Sequence, residues 1–487
     1  MRCALVIPAW RPEELFPAKT ASAQVNYWQP LGTLYVAACL REGGHEVRFY
    51  NGAFMGHDEI LREVHAWRPD LAGLYATTFG WPKALRTARD LKANDRGLFV
   101  CVGGPYPIAR PRDCLLDANG DVDAVVTGEG EQTLVELADR LATGRSLDGV
   151  AGVASWRDKC IVVNPPRPLI EDLDALPLPA RDLLGDAGRY LPPPATYKRA
   201  PVAVMITSRG CNRRCIFCSQ IDRERRAGNH GIRFRSVDSV VREIEQCLAL
   251  GYREIKFLDD SLAADYERLM ALTHEIRTRR LDFTWFASAC VNQVDEPLLR
   301  AMKAAGCWAV LLGAESGVQK NLNTLRKGIT LEQTRAAVKA AKAAGLRVST
   351  PFVFGIPGET YDEALQTIEF AIELDPDLAN FHALTAFPGT PLHDNLQHYG
   401  RVSARLDEHT YQGASFEPYT LTRAQIQALR RLAFRRFYSR PSFLARRLLG
   451  LRTWHDCKAA FYGARSLIGI WGTRNPFERG EADPAST

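Results

Sequence analysis

A chain of 487 residues is long enough for two or three domains, and 46% hydrophobic with 24% charged residues is the make-up of ordinary globular protein. The net charge of +6 lies mostly toward the C-terminus and is too modest to argue for nucleic acid. No apolar run approaches the roughly 18 residues of a membrane span, and residues 1–8 are too short an apolar run for a signal peptide. The twelve cysteines fall mostly inside strand-like or helix-like apolar runs, so free thiols in a reducing cytoplasm are expected.

From residue 1 to about 145, strands predicted at 4–8, 46–50, 71–76, 98–102 and 122–126 alternate with helices predicted at 31–40, 59–66, 83–92 and 131–141. In the first helix Leu31, Leu34, Tyr35, Ala38 and Cys39 share one face. This order predicts a doubly wound parallel sheet with right-handed crossovers, whose ligands bind at the carboxyl ends of the strands. The loops at those ends are Gln29-Pro30-Leu31-Gly32, Thr77-Thr78, Gly103-Gly104-Pro105-Tyr106-Pro107 and Gly128-Glu129-Gly130-Glu131. Glycine there lets backbone approach a bulky ligand. A dinucleotide site is the competing reading. It is disfavoured because Gly128-x-Gly130 has no third glycine and follows the last strand, not the first.

Residues 146–199 read as a connector, with a hairpin at 156–168 and then proline at a density that denies regular helix. The β/α alternation returns over 200–395. A buried strand at 202–207 runs into Ser208-Arg209-Gly210-Cys211-Asn212-Arg213-Arg214-Cys215-Ile216-Phe217-Cys218. Thiolates at this density are disulfide partners or metal ligands. A four-iron cluster normally takes four cysteines, so three would leave one iron open to a non-protein ligand. A zinc loop is disfavoured, because no fourth Cys or His stands nearby at the spacing of a closed site.

A helix follows at 238–250, with Ser236 as its expected cap. Next come a strand at 254–260 ending in Asp259 and Asp260, a strand at 283–290 and a helix at 296–305. A strand at 309–313 enters Gly313-Ala314-Glu315-Ser316-Gly317, and a strand at 348–354 enters Gly355-Ile356-Pro357-Gly358. With a last strand at 380–386 this makes six βα units, too few to close an eight-fold barrel, hence a partial (β/α)6 barrel with an open side. Residues 396–487 are basic, with helices predicted at 423–438 and 443–451. Two readings compete for their arginines: a solvated face on helices closing the barrel, or a patch making peripheral contact with a membrane. Residues 478–487 are expected to be disordered.

The cysteine loop resembles the signature of the radical S-adenosylmethionine (SAM) enzymes. The loops of residues 1–145 resemble the cobalamin-binding domain that precedes the catalytic domain in the B12-dependent members of that family. The resemblance implies a [4Fe-4S] cluster on Cys211, Cys215 and Cys218, an aromatic neighbour in Phe217, and SAM as the open iron's ligand and source of a 5′-deoxyadenosyl radical. It implies SAM contacts from Asp259, Asp260, Glu315, Ser316, Gly355 and Gly358. It implies cobalamin contacts from Leu31, Gly32, Thr77, Gly103, Gly104, Pro105, Gly128, Glu129 and Gly130. Two departures stand out: Tyr106 where relatives often have histidine, and Ala289-Cys290-Val291-Asn292 where many have arginine. The reaction expected from the resemblance is methylation of an unactivated carbon of a lipid, tetrapyrrole or natural product, fed by an electron donor such as flavodoxin or ferredoxin. Three rivals are a radical cyclase resembling the anaerobic magnesium-protoporphyrin monomethyl ester cyclase, a methylthiotransferase and a B12-binding sensor.

Overall fold

A computed structural model describes residues 1–16, 21–219, 231–451 and 453–472; the tail expected to be disordered lies outside them. The first sheet contains β1 (Arg2–Ile7), β2 (Glu46–Asn51), β3 (Leu71–Tyr75), β4 (Phe99–Gly103), β5 (Ala124–Val126), β6 (Val153–Arg157) and β7 (Cys160–Val163), in the order β2-β1-β3-β4-β5-β6-β7. The first five strands are parallel and β6 and β7 run antiparallel. The 2-1-3-4-5 order is doubly wound, and its direction reverses between β1 and β3, which opens a crevice there. The apolar runs place helix-facing side chains on both faces: Ala4, Val6, Leu74 and Val100 pack on one side, Cys3, Leu5, Leu71 and Cys101 on the other.

The hairpin starts earlier than expected and belongs to this sheet, which therefore runs past residue 145 to Val163. Val153 and Ala154 are fully buried and complete the two cores, whereas the exposed Trp156 and Arg157 dominate the sequence pattern.

The second sheet contains β8 (Val202–Met205), β11 (Glu254–Phe257), β12 (Thr284–Ala289), β13 (Cys307–Leu312), β14 (Arg347–Phe354) and β15 (Leu378–Ala383), all parallel and in sequence order. Between β8 and β11 a short antiparallel ribbon, β9 (Ser208–Arg209) with β10 (Arg233–Phe234), brackets the cysteine loop. Helices follow the strands, as at Val237–Ala249, where the Ser236 hydroxyl accepts from the Ser239 amide as expected. One large core joins helices to sheet, with Met205, Phe257, Trp285, Val310, Phe352 and Phe381 facing outward into it.

The concave face is different. Along β12 and β15 fully buried residues alternate with half-buried ones, and the half-buried set is Thr284, Phe286 and Ser288, then Leu378, Asn380 and His382. Side chains alternate across a sheet, so the inner face fronts open space while the outer face is packed. This is the partial (β/α)6 barrel expected.

Edge strand β8 is sealed by the first domain. Gln29 accepts from the Val204 amide at 3.2 Å, and Arg181 from the connector donates to the Val204 carbonyl at 2.8 Å, so the edge is not left open to pairing.

The C-terminal arginines divide: Arg431, Arg435, Arg436 and Arg446 are exposed, whereas others tie the helices to the barrel. Arg430 is 6% exposed and donates to the carbonyls of Phe381 and Gln412, while Arg440 and Arg446 both clamp Asp375. The helix Arg423–Tyr438 thus lies bolted to β15, with Phe434 and Phe437 edge-on to Phe381. No helix among the described residues is long and apolar enough to cross a membrane.

Candidate functional site

The cysteine loop rests on the loops that follow other barrel strands. The Ile216 amide donates to the Leu325 carbonyl at 3.0 Å, the Leu392 amide to the Ile216 carbonyl at 2.8 Å, and Arg213 to Asn292 at 2.5 Å. Phe217 packs against the apolar cluster of Ile216, Leu325, Val353 and Phe416, which anchors the loop rather than exposing the ring. The thiol of Cys215 is buried, and burial pushes it up to about 12; Lys327 opposes that rise, and the neighbouring Cys218, Glu315 and Cys211 add to it. Burial likewise raises Cys211. Thiols held high in this way, as at Cys211 and Cys215, are poor anions alone. They become ligands when a cation displaces their protons. No three Cys, His, Asp or Glu side chains converge on a single-ion site among the described residues. Cys290 stands near enough to Cys211 and Lys327 to influence both.

Around the thiols lie the carboxyl ends of β11, β13 and β14. Glu315 is 7% exposed and in the left-handed region at φ 64°, pinned by a bridge to Phe352. Its carboxylate meets the Lys327 ammonium at 2.7 Å. Burial disfavours that ammonium, but Glu315 and Cys215 outweigh it and hold Lys327 protonated. Sequence reasoning missed Lys327; only its tertiary placement beside Cys215 marks it. Two of the expected residues have protein partners. Ser316 is fully buried and bonded to Thr367, which shapes its loop. Asp259 accepts from the Thr207 amide and hydroxyl and the Ser208 hydroxyl, so only Oδ2 lacks a partner. Asp260 is exposed and lies near enough to Cys211 to raise its thiol. Gly355 and Gly358 sit at φ 87° and 75°, in a turn held by the buried carboxyl of Glu359, another residue the sequence reading passed over.

On the first domain, a Cβ placed on Gly32 or Gly128 would meet nothing within 4 Å, so both face open space. Gly104, at φ 108°, brings its loop so close to β3 that a Cβ would lie 2.7 Å from the Ala76 carbonyl. Gly103 and Pro105 flank that turn, and Leu31 packs on Tyr35 and Val204. The Thr77 hydroxyl accepts from the Gly80 amide at 3.0 Å in the turn before the next helix. Tyr106 is turned away from the cleft, buried against Trp81 with ring centroids 5.6 Å apart. Glycines lining open space suit a bulky planar ligand.

Glu129 has several protein partners. Its carboxylate takes Arg209 at 2.6 Å, Arg233 at 3.0 Å and the Ile170 amide at 2.8 Å. Burial opposes its ionisation, yet these cations hold its pKa below the usual range. Glu131 pairs with the same Arg209, at 2.6 Å. Arg209 precedes Gly210-Cys211, so Gly128-Glu129-Gly130-Glu131 is tied directly to the base of the cysteine loop. Beyond it, Arg110, after β4, donates to His393, after β15, at 3.0 Å. The two sheets therefore turn their carboxyl ends toward each other across one cleft.

Two family models match in tandem: a B12 binding domain over residues 21–138 and the radical SAM superfamily over residues 205–371. A methyltransferase of Pyrococcus horikoshii, itself uncharacterized, is 35% identical over 459 residues, 91% of this chain and 94% of that protein. The anaerobic magnesium-protoporphyrin IX monomethyl ester cyclase of Rubrivivax gelatinosus is 27% identical, over 86% of this chain and 75% of that protein. The fold is that of the radical SAM methyltransferase TsrM from Kitasatospora setae, with a TM-score of 0.69, 19% identity, and coverage of 97% and 96% of the two chains. The cobalamin-dependent radical SAM enzyme OxsB gives a TM-score of 0.73 at 15% identity, covering 96% of this chain and 72% of that one. The paired models specify a [4Fe-4S] cluster, SAM and cobalamin as cofactors. On the strength of a full-length relative at this identity, the chain belongs to the B12-binding, cobalamin-dependent radical SAM enzyme family.

Proposed function

We propose that this enzyme methylates an unactivated carbon of a small-molecule substrate held in the concave chamber of the barrel. The observation that carries the reading is the face-to-face arrangement of the two carboxyl edges, fixed by Arg209 to Glu129 and Glu131 on one side and Arg110 to His393 on the other. A carbon in the chamber is then reachable from both cofactor sites. Bound there, the cluster and SAM supply hydrogen abstraction, and cobalamin supplies the methyl group. The chain's own residues position and enclose. Cys211, Cys215 and Cys218 would hold the cluster, Asp260 and Glu315 would orient SAM, and the open edges at Gly32 and Gly128, with the Gly103 turn, would seat cobalamin. The apolar packing of Phe217 and Leu392 closes the loop against water. A flavodoxin- or ferredoxin-type donor would supply the electron that radical chemistry requires. The free thiols at all twelve cysteines suit a reducing compartment such as the cytoplasm.

The similarity of the Pyrococcus methyltransferase, higher than that of the cyclase, favours methyl transfer. Anaerobic turnover should yield S-adenosylhomocysteine together with 5′-deoxyadenosine in a ratio near one to one, and both should vanish in Cys215→Ala. 5′-Deoxyadenosine without S-adenosylhomocysteine would replace this reading with the cyclase chemistry.

A further inference from the structure

Lys256 occupies the penultimate position of β11, on the concave face. Its chain neighbours Ile255 and Phe257 point outward into the helix-packed core, and it lies in register with Val204 of β8 and Phe286 of β12. It is 3% exposed. Its ammonium sits 4.8 Å from the ring centroid of Trp28 and 4.6 Å from that of Phe286, and among the described residues it has no hydrogen bond or ion pair. The nearest carboxylate in sequence, Glu254, is occupied below it: Glu254 accepts from the Lys198 and Arg199 amides, the Thr284 hydroxyl and the Trp308 indole.

A buried ammonium with no ion pair, favoured only at a distance by the Glu254 carboxylate, is a costly element of a fold. Two aromatic faces offset part of that cost but supply no counter-charge. Burial lowers the pKa of Lys256 to about 8, so it remains mostly protonated at neutral pH. The surroundings are those of a chamber, not of a closed core. Phe286 and Ser288 are half-buried, Leu258 is 40% exposed, and Tyr411 is 58% exposed although protein surrounds it closely enough to raise its phenol. Across the sheet, the concave face of β14 and β15 is polar. Asn380 donates to Ser349 at 3.5 Å, and the buried Nδ1 of His382 has no partner among the described residues. Burial, reinforced by Arg430, holds that imidazole neutral.

We infer that the substrate carries an anionic oxygen group, carboxylate or phosphate, which Lys256 receives at the chamber floor between Trp28 and Phe286, with neutral hydrogen-bonding groups directed at His382 and Asn380. This rests on the chamber being the substrate site. It separates the substrate from neutral lipids, which would leave the ammonium unpaired. Trp28 comes from the first domain and Phe286 from the barrel, so the anion is read where the two domains meet.

The test uses the reconstituted full-length enzyme with SAM labelled in its methyl group. A small-molecule cell extract is divided into an organic lipid phase, a water-soluble neutral fraction and an anion-exchange-retained fraction. The anionic fraction alone is expected to stimulate 5′-deoxyadenosine formation. Prior phosphatase treatment abolishes that effect for a phosphate and leaves it intact for a carboxylate. Saturation-transfer NMR of the anionic fraction is expected to show bound components with the wild-type protein. They fade at least tenfold with Lys256→Met and partly return with Lys256→Arg. Iron and cobalamin content confirm that each variant is folded. Stimulation by the lipid or neutral fraction, by no fraction, or equal binding to Lys256→Met overturns the inference. The methyl label separately reports on methyl transfer: stimulated 5′-deoxyadenosine without labelled product would retire that reading and leave the anion site standing.

Discussion

Glu359 shows how burial overrides local chemistry at a single residue. Its carboxyl accepts from the Gly355 amide at 2.7 Å and the Ile356 amide at 3.2 Å, which favours the anion, yet burial dominates and its pKa rises to about 8. The unfolded chain titrates this group near 4.3, so between about pH 4.3 and 8 the folded state holds the extra proton. Its contribution to stability is therefore full below that window and is lost as pH rises through it. Glu359→Gln keeps an acceptor oxygen without the charge. Wild-type stability from urea unfolding should fall by about 2 kcal/mol relative to Glu359→Gln between pH 6 and 8.5. Equal declines in both proteins would remove Glu359 as the cause. Nothing in Gly358-Glu359-Thr360 advertises this role. A carboxylate after a glycine turn reads as a loop residue, and only the fold reveals that it lies inside. Lys327 was illegible for the same reason. The cysteines were legible because three ligands within eight residues need no tertiary information.

Among elements, the link between the Gly128-Glu129-Gly130-Glu131 turn and the β9–β10 ribbon carries the most consequence. Arg209 serves both Glu129 and Glu131, and all three side chains are less than about one-sixth exposed. Removing it would strand Glu131 and leave Glu129 to Arg233. Breaking a buried pair from one side typically costs about 3–5 kcal/mol, against under about 1 kcal/mol at a surface. Arg209→Met should lose about 3 kcal/mol in urea unfolding, and adding Glu131→Gln should restore part of it. A loss below about 0.5 kcal/mol would mean that the ends of the two sheets are held together by something else. The sequence showed both turns and the alternation around them, since helix and strand periods are local. It did not show the pairs of Glu129 with Arg209 and Arg233, because partners some 80 to 100 positions away leave no local trace. The early start of β6 was hidden likewise, since Val153 and Ala154 show their burial only once both cores are assembled.

At the scale of the whole molecule, the carboxyl ends of two separate sheets are tied together through Arg209 and Arg110, and the connector, Gln29 and Arg181 close the flank at β8. That arrangement places a trio of cysteines opposite glycine-lined loops, and everything proposed about chemistry depends on what those two sites hold. The most direct measurement is the iron, zinc and cobalamin content of anaerobically purified enzyme. About four irons and one cobalamin per chain, with no zinc, is the predicted result. Zinc in place of iron, or about eight irons, would contradict the account.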